Sequence, residues 1–180
     1  MQLHAPVENR MRSRILHLLP LVIVMLPYVY QVSAYWHYTN DDAYITFRYS
    51  RNLVEGRGPY YNAGQHVEGY TNFLHMLQIA SVIRCFGAEL APNIAKFLGI
   101  LHGVGCVLLT YVLCRSILFE YERGVPKTVV QAGALAASGV VSISPAFAVN
   151  STSGLETTMF SFLLVLGVFL GTRELHRGRW

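Results

Sequence analysis

Charged residues are scarce in this sequence. Only 13% of its 180 residues are Asp, Glu, Lys or Arg, against roughly 25% in soluble domains. They are also clustered, which leaves long uncharged runs between them. Such a chain lacks the polar surface of a soluble globule and reads as a polytopic membrane protein. Its net charge of +4 is therefore loop charge that orients the chain. A nucleic-acid binder needs a dense basic face, and none is visible. Cysteine is as sparse: Cys85, Cys106 and Cys114 have neither metal-type nor redox-type spacing. Two of them sit in an apolar run, where a free thiol acts as a small hydrophobe. Internal repeats and low-complexity tracts are absent. No apolar run carries a central acid and no inverted repeat is evident, which argues against a transporter.

What is present in quantity is apolar sequence, 53% of the chain. A membrane span needs about 20 mostly apolar residues, because a helix rises about 1.5 Å per residue through about 30 Å of hydrocarbon. Residues 15–34, 94–113 and 128–149 meet that length, and 158–172 forms a shorter uncharged run. A fifth stretch, 70–86, contains Asn72, His75, Gln78 and Arg84 and is more polar. The expected fold is an all-α transmembrane bundle of about four spans, with 70–86 as the candidate fifth. Arg10, Arg12 and Arg14 before the first run, and Val32-Ser33-Ala34 at its end, resemble parts of a signal peptide. The run is longer than a signal peptide's apolar region. It also ends in Tyr28, Tyr30, Tyr35 and Trp36, an aromatic belt of the kind found at membrane interfaces. An uncleaved span is expected. In the third run, Gly133, Ala136, Ala137 and Gly139 are read as ordinary helix packing. His102, the one titratable group well inside a run, is expected to be packed and hydrogen-bonded.

Whether 70–86 crosses the membrane sets the sidedness of everything after it. If it crosses, the cytoplasmic side carries five basic residues, Arg10, Arg12, Arg14, Arg84 and Lys96. If it does not, that side carries nine: Arg10, Arg12, Arg14, Arg115, Arg123, Lys127, Arg173, Arg177 and Arg179. The positive-inside rule favours the second arrangement, with 70–86 as an amphipathic interfacial helix. The organisation is then a cytoplasmic basic tail (1–14), a first span (15–34) and an outer loop (35–93). A three-span segment (94–172) and a cytoplasmic tail (173–180) follow. Both acidic clusters of the chain, at 41–42 and 156, face one compartment.

The outer loop carries the chemistry. Asn40 or Asp41 can cap a helix that runs to about Glu55 and stops at Gly56. Arg51 and Glu55 form an i,i+4 pair on it, and Arg48 lies two turns beyond Asp41 on the same face. Turn residues follow, Gly56-Arg57-Gly58-Pro59 and Asn62-Ala63-Gly64, and then Glu68-Gly69-Tyr70-Thr71-Asn72. Capping explains one acid of the Asp41-Asp42 pair. Two adjacent carboxylates beside a span are costly, and their mutual repulsion suits a general base. Glu156 stands alone between two apolar runs, and capping by Ser153 or Glu156 accounts for it equally well.

The run Asp41-Asp42-Ala43-Tyr44-Ile45-Thr46-Phe47-Arg48, with Asn62-Ala63-Gly64 and Val67-Glu68-Gly69-Tyr70-Thr71-Asn72 after it, resembles the first outer loop of GT-C-type glycosyltransferases. The likeness is greatest to the terminal arabinofuranosyltransferase branch. It is more distant to protein O-mannosyltransferases and lipid A aminoarabinose transferases. Ser153-Gly154-Leu155-Glu156-Thr157 resembles the second acidic motif of that branch, and the likeness covers about 41–169.

The resemblance implies transfer of a sugar from a polyprenyl phosphate donor to an acceptor hydroxyl, with inversion, outside the cytoplasm. The acceptor would be a glycan, lipid or protein, and the location a bacterial inner (plasma) membrane. Asp41 or Asp42 would be the base, and Arg48 would bind the donor phosphate, since a guanidinium can do so bidentately. His66, Glu68, Tyr70, Asn72 and Glu156 would contact sugar, acceptor or a metal. No cofactor follows from the likeness, and a divalent metal stays open. Relatives of this kind have many more spans, so a fragment, a truncated product or a subunit needing a partner is expected. A non-catalytic membrane protein that keeps the first-loop fold is the alternative from another class.

Overall fold

The computed structural model describes residues 7–62, 64–65, 67–121, 124–176 and 178, with side chains from Leu19 onward except 120, 121 and 176. His66, Arg123, Arg177 and Arg179, and the side chains of the basic tail, lie outside the described residues. Among the described residues seven α-helices follow one another: α1 (Val7–Ala34), α2 (Ala43–Val54), α3 (Phe73–Phe86), α4 (Ala91–Tyr121), α5 (Lys127–Ser142), α6 (Pro145–Thr152) and α7 (Thr157–His176). A 3-10 turn, Ala88–Leu90, leads into α4. The fold is all-α, with no strand among the described residues.

Beside a buried apolar core, large apolar side chains also cover the outside of the bundle. Leu19, Val22, Ile23, Leu26 and Val29 of α1 face outward, as do Phe97 and Leu101 of α4 and Phe160 and Leu164 of α7. Ser138, Ser142, Ser151, Thr152, Ser153 and Thr158 are buried between helices. Small polar residues inside and large apolar ones outside are what a lipid solvent selects, because it gives no drive to hide Leu or Phe. Helix α4 and the 19-residue stretch Thr157–Leu175 are each long and apolar enough to cross a membrane. Helix α1, 28 residues long, contributes the apolar stretch Leu19–Ala34.

The third expected span, 128–149, is not one helix. It is broken into α5 and α6, which meet at 58°. Proline explains the break. Pro145 lacks an amide N–H and disfavours helix at Ser144, which is extended and caps α6 by accepting the Phe147 N–H. Helix α3 has 14 residues, about 21 Å, short of the roughly 30 Å of hydrocarbon. It packs on α2 and on the start of α4 around Ala43, Phe47, Ile79, Ile83, Ala91 and Ala95.

Polar side chains and bare backbone hold the bundle together. Ser142 accepts the Tyr28 N–H and donates to the Val24 carbonyl, so its hydroxyl stands within one rung of the α1 ladder, next to Pro27. Gln31 adds bonds to the carbonyls of Pro27 and Ser142, at 3.1 Å each. On α4, Gly99 and Gly103 let α6 and α1 approach: a Cβ on Gly99 would strike the Ser151 carbonyl, and one on Gly103 the Tyr28 hydroxyl. Of the small residues expected to pack in the third run, Gly133 lies against Leu118 but Gly139 has open space around it. The buried stripe of α5 is instead Val130, Ala134, Ser138 and Ser142. The His102 ring lies 5.7 Å from that of Phe162.

Gly103→Ala is expected to cost about 1–3 kcal/mol, as overpacking does. In the double variant with Tyr28→Phe the two costs should add to less than their sum, because the phenylalanine removes the atom struck. Thermal unfolding of the four proteins in detergent reads this out; strict additivity would mean that the two positions do not touch.

Candidate functional site at the end of the bundle

Helix α2 is the scaffold of the outer loop. At its start the Asp42 N–H is accepted by Asn40 Oδ1 (2.9 Å) and Asp41 Oδ1 (3.1 Å). Asp42 occupies the N-cap, yet its own carboxylate makes no capping bond. The helix thus starts later than expected of a cap at Asn40 or Asp41. Their side chains bond the N–H of the N-cap residue itself and leave the Asp42 carboxylate unassigned. The inner face of α2 ties down the chain that follows. Tyr49, fully packed, donates its hydroxyl to Val67 O and accepts the Gly69 N–H, both at 3.0 Å. Ser50 donates to Met76 O at 2.9 Å. Asn52 donates to Tyr60 O and Tyr61 O at 2.6 and 3.2 Å. The helix ends at Val54, with Gly56 at φ 75° beyond it, as the sequence predicts.

The second acidic segment is docked directly on this scaffold. The Asn40 N–H donates to Ser153 O at 3.0 Å. His75 Nε2 lies 3.1 Å from Gly154 O, and this imidazole, which the sequence groups with the polar residues of an interfacial helix, is buried. Gly154 has φ 83° and passes so close to α2 that a Cβ would stand 3.1 Å from Ala43 Cβ and 3.4 Å from Phe47. Ser153 organises the turn by accepting the Leu155 N–H at 3.2 Å. Glu156 precedes α7 at its N-cap position, its carbonyl accepting the Phe160 N–H at 2.9 Å, while its carboxylate is turned elsewhere. That carboxylate accepts a hydrogen bond from Asn72 Nδ2 at 2.8 Å, across 84 residues of chain.

Between the two segments lies a cleft of about 250 Å³, lined by Asp42, Thr46, Tyr70, Asn72, Leu155 and Glu156 among others. Thr46 sits one turn beyond Asp42 on the same face of α2 and accepts the second amide hydrogen bond of Asn72, at 2.9 Å. The Asn72 amide is thus spent on Thr46 and Glu156. Its Oδ1 is buried with no partner among the described residues, an unmet acceptor in the wall behind the cleft.

Of the residues the sequence singles out, Asp42, Tyr70, Asn72 and Glu156 line this cleft, while Asp41, Arg48 and Glu68 do not. Arg48 is exposed and donates through Nε to Tyr61 O at 3.2 Å. His66 lies outside the described residues. Sequence reasoning missed Thr46, Tyr49 and His75. Thr46 alone had a readable signal, its four-residue spacing from Asp42. The roles of Tyr49 and His75 depend on partners 18 to 79 residues away.

The expected Arg51–Glu55 pair is present at 2.8 Å, and Arg57 joins it. The hydrogen bond from Arg51 holds the Glu55 carboxyl below its ordinary value. The contribution of the pair is therefore complete above the ordinary glutamate range and is lost as pH falls through the depressed one. This cluster is solvent-exposed and apart from the cleft. Among the described residues, no group of three or more His, Cys, Asp or Glu converges as a metal site.

Gly154→Ala should lower stability by about 1–2 kcal/mol through its left-handed backbone alone, and more from the contact with Ala43. A lowered melting temperature in detergent checks this; an unchanged one would mean that the turn does not pack on α2. No protein-family model, no curated protein and no solved structure matches this chain.

Proposed function

We propose that the chain is a membrane glycosyltransferase of GT-C type, moving a sugar from a polyprenyl phosphate donor to an acceptor hydroxyl on the non-cytoplasmic face. One observation carries the reading: the first-loop acid Asp42 and the distant acid Glu156 line one cleft, with Asn72 tying Glu156 to Thr46, one helical turn from Asp42. In this reading Asp42 takes the proton of the acceptor hydroxyl as its oxygen attacks the anomeric carbon. The bond from that carbon to the phosphate oxygen breaks, and polyprenyl phosphate leaves. Asp42 suits the base better than Asp41, whose carboxylate is turned back to the Asp42 amide. Glu156 would accept hydrogen bonds from sugar hydroxyls, with Tyr70 as an apolar wall.

A cleft of about 250 Å³ is small beside the roughly 300–1,000 Å³ of ligand pockets, which suits one sugar ring whose lipid remains in the bilayer. The terminal nitrogens of Arg48, unengaged among the described residues, would take the donor phosphate from outside the cleft. The exposure of Asp42 and the outlying position of Arg48 favour the second reading, a non-catalytic membrane protein that binds a glycan or lipid without turnover.

Membranes carrying the protein, supplied with a panel of labelled polyprenyl-phosphate sugars, test the proposal. Asp42→Asn should lower transfer by roughly 10²–10⁴, the usual yield of general base catalysis, while Asp41→Asn keeps most of it. Full transfer by Asp42→Asn removes the base, and absence of transfer from every donor favours the binding protein. Sidedness is tested separately by Glu156→Cys in a background lacking Cys85, Cys106 and Cys114. Labelling of intact cells by an impermeant thiol reagent is expected; labelling only after permeabilisation would put Glu156 in the cytoplasm and end the shared-site proposal.

A further inference from the structure

A second cavity lies at the other end of the bundle, between the last turns of α4 and the first of α5. It measures about 490 Å³ and is lined by Tyr111, Arg115, Phe119, Lys127, Val130 and Gln131. The α4 contributors are spaced four apart and so share one helical face. From Ala91, beside the cleft, to Arg115 the helix rises about 36 Å, close to the thickness of a bilayer's hydrocarbon core. The two openings therefore lie at opposite membrane interfaces. Two cations, Arg115 and Lys127, reach the cavity from facing helices, and no acid among the described residues lines it. Neither has an ion-pair partner among the described residues. Tyr111 and Gln131 add neutral polar groups to the wall.

A second groove, about 260 Å³, shares Arg115 and Phe119 and continues along α4 past Ser116 to Val112. Phe119 is 64% exposed and Val112 39%, so this groove opens on the apolar outer face of the bundle. Basic depth joined to an apolar exit matches an amphiphile better than a soluble anion. We propose that Arg115 and Lys127 bind the phosphate of an anionic phospholipid headgroup, with an acyl chain lying in the groove over Phe119 and Val112. The guanidinium engages the phosphate oxygens in pairs, and the lysine acts as a point charge from the facing helix. Basic pockets between transmembrane helices are suited to such headgroups, since an unpaired cation near hydrocarbon attracts anionic lipid. The site is independent of the sugar-transfer reading.

The test is native mass spectrometry of the full chain released from detergent containing equal amounts of phosphatidylglycerol and phosphatidylcholine. The native protein should retain phosphatidylglycerol selectively. Arg115→Gln with Lys127→Gln should reduce that selectivity by roughly tenfold, and Gln131→Glu, which adds a negative charge to the cavity, should reduce it as well. The charge-matched pair Arg84→Gln with Arg173→Gln, outside the cavity, should retain it. Undiminished selectivity in the first two variants overturns the site, and so does an equal loss in the control, which would reduce the effect to net charge. Displacement of the lipid by excess inorganic phosphate would make the cavity a small-anion site and overturn the lipid assignment.

Discussion

The contact on which the candidate site depends is the seating of the turn before α7 on the N-terminal half of α2. Asn40, just before α2, gives its N–H to Ser153 O, the His75 ring of α3 meets Gly154 O, and Gly154 is pressed against Ala43 and Phe47. Only a residue without a side chain can hold φ 83° and that approach together. The consequence is positional. With the turn so held, Glu156 is delivered to Asn72, and Asn72 to Thr46, one helical turn from Asp42. If the seating loosened, the two acids would belong to separate loops.

The bundle beneath follows the same logic of backbone proximity and small hydroxyls. Pro27 removes one amide from α1, and the Ser142 hydroxyl enters the neighbouring rung from α5. Gly99 and Gly103 draw α4 against α6 and α1, bringing the Tyr28 hydroxyl within 3.2 Å of Ile100 O. In a lipid solvent, close packing and internal hydrogen bonds carry the association that water would otherwise drive. Lys96 fits this pattern: buried at the start of α4, it donates to Trp36 O at 2.8 Å and lies 5.8 Å from the indole ring. A cation on the free carbonyls after α1 is placed where the helix end is electronegative.

The two cavities give the molecule a polarity along its long axis. One end presents the Asp42 and Glu156 carboxylates, the other presents two cations beside an apolar groove.

Much of this was legible without coordinates. The all-α class, the helix stopping before Gly56 and the Arg51–Glu55 pair followed from local rules, because apolar run length, glycine and i,i+4 spacing act within a few residues of chain. The break at Ser144-Pro145 was legible too, since proline acts on its immediate neighbours, although apolar length alone had made 128–149 one span. What only the tertiary structure decided is pairing across distance. It separated Asp42 from Asp41, turned the Glu156 carboxylate to Asn72, buried His75, and left Arg48 outside the cleft. Each of those outcomes rests on a contact between residues tens of positions apart or on which way one helical turn faces, and no local rule contains either. The sequence determined which segments are helical and which residues are chemically able; the packing of α2 against the turn at Gly154 decided which of them meet.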